Sequence, residues 1–303
     1  MAGEMTRLAF AFGHLGDSFH GSQIQPGLRT AQGELQRVLV ELGFIDKPTG
    51  SPQPCVLASR TDAGVHVRMN VAAINISSEY WDGMNERGFI NAVNDQLDGD
   101  IVVWAADKAS ENWSPRRAES RSYRYRLEGL DDWREVEEGV FQKWLNIFVG
   151  KHDFRNFCRT DNVPDTVREV LELKAWKSEN DGRIIGFEIR GRAFLWNMVR
   201  RIAAALTGLA KGTMDIEEVR NALNNPLQKK DLGLVSADWL ILWEVEHQDI
   251  DLAQKSRISQ SISILSNPPE KAMNHRRFQL WTEAAKLEQK QICYAQWDSI
   301  MNR

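Results

Sequence analysis

A chain of 303 residues that is 42% hydrophobic and 26% charged, with 11 Trp and 12 Phe, has the composition of a folded globular protein and excludes wholesale disorder. Its 38 Lys and Arg against 42 Asp and Glu give a formal net charge of −4, which excludes a protein that coats polyanions by bulk charge alone. No run approaches the ~20 apolar residues of a bilayer-spanning helix, and Leu8 to Phe12 is too short for a signal-peptide core, so a cytoplasmic protein of one enlarged or two domains is expected.

In chain order, Thr6 to Phe12 reads as a strand, followed by a loop carrying Gly13, Gly16, Gly21 and Pro26. Thr30 caps a helix whose stripe is Leu35, Val38, Leu39 and Leu42. Cys55 to Ser59 and Asn70 to Ile76 read as strands bracketing a polar loop, Arg60 to Arg68. Phe89, Ile90, Val93 and Leu97 mark a second helix, and Ile101 to Ala106 a further strand. Ser120 to Leu127 is the next strand, and Asp131 to Phe148 is expected to be helical with Val136, Val140, Trp144 and Phe148 on one face. Val167 to Trp176 and Arg183 to Arg190 are strands joined through the turn sequence Asn180-Asp181-Gly182. Met198, Val199, Ile202, Leu206 and Leu209 line another helix, Asp215 with Glu218 forms a capping box, and Leu240 to Val245 is the last strand.

That order fits an α+β fold of two ferredoxin-like units with antiparallel sheets joined around a central cleft, at 1–110 and 111–250, followed by a helical tail at 251–303. Charge is segregated along it. Arg116, Arg117, Arg121, Arg124 and Arg126 cluster before the acidic run Glu128 to Glu138, a pattern that suits either a phosphate-binding strand or a solvated arginine face. Cys55, Cys158 and Cys293 form no disulfide framework, no histidine has a partner at metal-binding spacing, and Gly208 to Thr213 breaks the phosphate-loop pattern, so no metal and no nucleotide cofactor are expected.

The most informative run is Arg60-Thr61-Asp62-Ala63-Gly64-Val65-His66. It places a carboxylate in a short turn where Gly64 permits positive φ, and the same residues suit an Asx-turn that bonds only to its own backbone. The run closely resembles the signature of the TruA-type tRNA pseudouridine synthases. Phe19-His-Gly-Ser-Gln-Ile-Gln25, Arg29-Thr-Ala-Gln-Gly-Glu-Leu35, Ala92-Val-Asn-Asp-Gln-Leu97, Arg121-Ser-Tyr-Arg-Tyr125, Gly150 to Phe157 and Phe194 to Arg200 continue the resemblance in the same order.

The resemblance implies a cofactor-free isomerase that converts uridine to pseudouridine in the anticodon stem-loop of tRNA, at positions 38 to 40, and that works as a homodimer. Asp62 aligns with the catalytic aspartate, which either bonds to the sugar or assists proton removal from it, because glycosidic cleavage develops positive character at the anomeric carbon. Tyr123 is implied to stack on the uracil and Arg200 to pair with the aspartate. Leu240 is implied to line the substrate pocket; Arg60 and His66 are assigned to positioning the bound RNA or, instead, to bracing the loop, and Arg116, Arg117 and Arg121, with Arg155 and Arg159 after them, are the candidates for gripping RNA phosphates.

The chain departs from the pattern at His14-Leu-Gly-Asp17, at Ser59, at Trp113, and at Trp239, where a glycine usually precedes the pocket leucine. Two alternatives are a non-catalytic RNA-binding protein built on two such sheets, and a synthase acting on a different RNA position.

Overall fold

A computed structural model of the chain describes residues 4–131, 133–159, 164–252, 265, 267–269 and 275–301. In chain order these form β1 (Met5–His14), α1 (Ala31–Glu41), β2 (Val56–Leu57), β3 (His66–Ser77), α2 (Ser78–Asn94), β4 (Ile101–Lys108), β5 (Ser120–Arg126), α3 (Glu138–Asn146), β6 (Gly150–Asp153), β7 (Val167–Lys177), β8 (Ile184–Gly191), α4 (Met198–Lys211), α5 (Ile216–Asn224), β9 (Leu240–Glu246) and α6 (His275–Met301). The fold is α+β with a long C-terminal helix. No helix among the described residues is long and apolar enough to cross a membrane.

Contacts gather the chain into two units: Met1–Glu119, Leu242–Gln260 and Lys290–Arg303 in the first, Ser120–Ile241 and Ser261–Gln289 in the second. In the first unit the strands run in the order β4-β1-β3-β9, with β2 on β3. The β1–β3, β1–β4 and β2–β3 pairs are antiparallel. Period-2 alternation in β1 puts Leu8, Phe10 and Phe12 on the face that buries Leu35, Val38 and Leu39 of α1 and Phe89 and Val93 of α2. Each such side chain contributes about 1.5–3 kcal/mol by leaving water. The other face of β1 carries Ala9, Ala11 and Gly13, and there the smallness matters: a Cβ on Gly13 would lie 2.3 Å from the indole nitrogen of Trp297 in α6.

The second unit has the strand order β5-β8-β7-β6, with all three pairings antiparallel. The apolar stripe expected in α4 is buried, and Asp215 and Glu218 form their reciprocal capping box at the start of α5. Gly182 takes a φ of 74° in the turn between β7 and β8, the left-handed backbone that glycine permits at low cost.

Several expected boundaries are corrected. The helix expected over Asp131 to Phe148 spans only Glu138–Asn146, because Glu137 stays extended and accepts from the Gly139 N–H at 3.2 Å, which sets the N-cap. Its buried residues are Phe141 and Leu145, with Trp133 edge-on to Phe141. The second helix begins at Ser78 and breaks at Asn85, whose φ is 57° and whose Oδ1 caps the continuation by accepting from Arg87 and Gly88. The strand expected at Cys55 to Ser59 shrinks to Val56–Leu57. β3 begins at His66 rather than Asn70, so His66 and Arg68 are strand residues. Polarity hid them, and specific partners keep them inside: Gly16 N–H donates to His66 Nδ1 at 3.1 Å. Arg68 donates to Gln296 Oε1 at 2.9 Å and to the Trp243 carbonyl at 3.0 Å. β6 was not expected at all.

Candidate active site

In the first unit, Asp62 sits half-buried at the start of a turn closed by the Val65 N–H to the Asp62 carbonyl at 3.2 Å, and Gly64 supplies the expected positive φ, 87°. The turn is braced from two sides. On one, the Gly64 N–H donates to the Gly16 carbonyl at 3.2 Å, and a Cβ on Gly16 would lie 2.3 Å from the Gly64 oxygen, so only glycine allows the approach. The imidazole of His66 holds the Gly16 N–H, so in this unit its role is to brace the loop that supports Asp62. On the other side, Thr61 is tied to Ser22 through both its N–H and its carbonyl. Arg60 is exposed.

Arg116 and Arg117 also belong to the first unit. They are exposed on a 3-10 turn at Pro115–Arg117, whose first carbonyl accepts from His247 at 2.9 Å. His247 packs against Trp113, with ring centroids 4.8 Å apart, so the unusual tryptophan there serves to seat this turn.

In the second unit, Tyr123 lies on β5, is 7% exposed, and meets Phe194 edge-on at 5.0 Å. Tyr125, two residues on, is fully buried. Its hydroxyl donates to the Ser236 carbonyl at 2.7 Å, and burial raises its pKa well above the usual phenol value. Arg200, in the first turn of α4, donates from Nε to the Val235 carbonyl at 2.8 Å and from Nη1 to Asn197 Oδ1 at 3.2 Å. The adjacent carbonyls of Val235 and Ser236 thus hold Arg200 and Tyr125 in one constellation. Asn197 adopts a left-handed φ of 65° just before the helix, the backbone turn that aims the start of α4.

Leu240 is buried, and its neighbour Trp239 is accommodated by Gly129, where a Cβ would lie 2.4 Å from the indole. The tryptophan therefore leaves β5 in register, and its carbonyl accepts from the Arg126 N–H at 3.0 Å.

The solvated arginine face considered for β5 is not what forms. Arg126 is fully buried, Arg124 pairs with Glu188 at 2.8 Å, and Arg121 is buried with Nη1 donating to the Arg192 carbonyl at 2.6 Å. Burial lowers the pKa of Arg121. Arg155 is half-buried, whereas Arg159 is exposed and its guanidinium lies 4.2 Å over the ring of Trp196, itself 50% exposed. Ser22 and Trp196 were missed as functional candidates. Trp196 lies within the run Phe194 to Arg200, and its exposure separates it from a core aromatic.

The chain is related to known proteins. The family model described as tRNA pseudouridine synthase matches residues 145–248. The tRNA pseudouridine synthase A of Methanosarcina barkeri is 34% identical over 244 residues, 80% of this chain and 85% of that one. That of Archaeoglobus fulgidus is 36% identical over 250 residues, 82% of this chain and 86% of its own. The chain belongs to the tRNA pseudouridine synthase A family. Pyrococcus furiosus supplies a further relative of this family at 31% identity, covering 81% of this chain and 85% of that one. A crystal structure of a Cbf5-Nop10-Gar1 complex is matched with a TM-score of 0.33 and 12% identity, over 65% of this chain and 44% of that chain, a likeness too loose to carry an argument.

Proposed function

We propose that this member of the tRNA pseudouridine synthase A family isomerises uridine in the anticodon stem-loop, at positions 38 to 40, with Asp62 as the nucleophile, and that it does so as a cytoplasmic homodimer. Uridine-to-pseudouridine isomerisation in tRNA follows from family membership. The observation that carries the assignment of Asp62 is its presentation: a half-buried carboxylate on a turn whose two flanks are pinned by backbone and side-chain hydrogen bonds.

In this reading the Asp62 carboxylate bonds to the ribose anomeric carbon as the bond to uracil N1 breaks. The freed uracil turns, carbon 5 bonds to the anomeric carbon, and the carboxylate leaves. The carbon-5 proton is lost and N1 takes one up, so substrate and product are isomers. Tyr123 supplies the ring against which uracil turns and a phenolic oxygen that, as the phenolate, receives the carbon-5 proton. Arg200 orients the carboxylate, Leu240 and Arg60 line the ribose and base, and His66 acts through the loop it braces. Arg116, Arg117, Arg155 and Arg159 contact phosphates, with the exposed Trp196 beneath Arg159 suited to stack an unpaired base. Arg121 supports the strand end from inside.

The test is incubation with tRNA bearing tritium at uracil carbon 5. Wild type releases label and Asp62→Asn does not, while both bind tRNA. Release by Asp62→Asn at the wild-type rate removes the nucleophile assignment. Sequencing the modified positions then decides between the anticodon stem-loop and another site.

A further inference from the structure

The opening loop contributes one fully buried polar side chain, Ser22, which pins the residue next to Asp62. Its Oγ accepts from the Thr61 N–H at 2.8 Å, and its own N–H donates to the Thr61 carbonyl at 3.0 Å. The residue immediately before Asp62 therefore has both backbone polar groups held by a single serine. The Ser22 carbonyl accepts from the Gln32 N–H at 2.9 Å, while the Thr61 N–H goes to the Ser22 hydroxyl.

The far end of this connection is rigid. The N–H groups of Ala31 and Gln32, which have no partner within their own helix at its first turn, donate to the carbonyls of Gly21 and Ser22. α1 is in turn fixed by its buried stripe of Leu35, Val38 and Leu39 and by the Thr30 cap, which accepts from Gly33 at 3.2 Å. Gly21 takes a φ of 86°, and a Cβ there would lie 2.9 Å from the Thr61 oxygen, so the loop is built to bring Ser22 against Thr61. A covalent step at a sugar carbon requires the attacking oxygen within a few tenths of an ångström of its proper place.

We infer that Ser22 is a positioning residue for Asp62: its hydroxyl transmits the fixed position of α1 to the carboxylate through Thr61. The inference rests on the reading of Asp62 as the nucleophile.

Ser22→Ala removes the hydroxyl with little change of volume, so the fold is retained. The measurement is steady-state release of tritium from carbon-5-labelled tRNA, with thermal melting and tRNA affinity recorded on the same preparations. Ser22→Ala is expected to lower kcat by about tenfold or more with KM and tRNA affinity nearly unchanged. Ser22→Thr, which keeps the hydroxyl, recovers most of that loss. A kcat for Ser22→Ala within about twofold of wild type, or a loss that follows only the folded fraction, overturns the inference. The two readings fail differently. If Asp62→Asn is inactive while Ser22→Ala is fully active, only the role of Ser22 falls. If Asp62→Asn matches wild type, the nucleophile assignment falls and the positioning role with it.

Discussion

Glu288 of α6 meets Arg126 of β5 at 2.7 Å with both side chains sealed from solvent, and the same guanidinium lies over Trp281. Arg126 also pairs with Glu128, which pairs in turn with Arg183 at 3.0 Å. Removing one partner from a buried ionic cluster leaves charge uncompensated, so Glu288→Ala is expected to cost about 3 kcal/mol of unfolding free energy in denaturant titration. Glu283→Ala breaks the exposed pair with Lys286, also on α6, and is expected to cost under about 1 kcal/mol.

His14 is fully buried between Phe12 and Phe19, and its Nε2 has no hydrogen-bond partner. Burial pulls its pKa down to about 4. The Leu15 carbonyl and Asp100 oppose the shift, and His66 adds to it. Because the folded value lies below the unfolded one, the unfolded chain binds the extra proton, and stability falls as pH drops from about 6.5 towards 4, by at most ~3 kcal/mol from this group. Denaturant titrations at pH 7.5 and pH 5 are expected to show a smaller acid loss for His14→Phe than for wild type.

Thr61 Oγ1 is buried without a hydrogen-bond partner, although the backbone of the same residue is fully engaged by Ser22. An unsatisfied buried hydroxyl costs about 1–3 kcal/mol, so Thr61→Val is expected to melt at or above the wild-type temperature. A melting temperature several degrees lower refutes that account of the hydroxyl.

Tyr123 and Tyr125 should separate cleanly. Tyr123→Phe keeps the ring against Phe194 and removes the proposed proton acceptor, so tritium release is expected to fall by about 100-fold with little change in melting temperature. Tyr125→Phe loses the bond to the Ser236 carbonyl. It is expected to lose about 1–2 kcal/mol of stability while the folded fraction stays active.

Arg116 and Arg117 are exposed on their turn, and in the phosphate-binding role proposed for them they would set part of the salt dependence of tRNA binding. Each alanine substitution is expected to weaken binding at low salt and to reduce the slope of log affinity against log salt by about 1. Arg121→Ala, which removes a buried brace, is expected to lower stability instead of the slope.

The elements most legible beforehand were those with a complete local signature. α1 has a cap and a stripe within one short run, α5 has its reciprocal Asp215 and Glu218 box, and the turn at Gly182 has its left-handed glycine. The Asp62 turn was legible for the same reason: a carboxylate, a small residue and a glycine in succession specify it. The start of β3 was not legible, because His66 and Arg68 look like loop residues until their partners are seen. α2 was only half legible, since Asn85 interrupts its period and caps the second part.

From the sequence alone came the order of strands and helices apart from β6, the family, and the carboxylate on its turn, all of which depend on residues close together along the chain. The tertiary structure decided where the polar side chains ended up. Arg126 and Arg68 became interior residues because α6 brings Glu288 and Gln296 to them, and Ser22 became a clamp because folding brings its hydroxyl to the Thr61 N–H. A charge or a hydroxyl can leave water only where a partner waits, and the partner of each lies far along the chain or in another element, where only folding brings the two within hydrogen-bond distance.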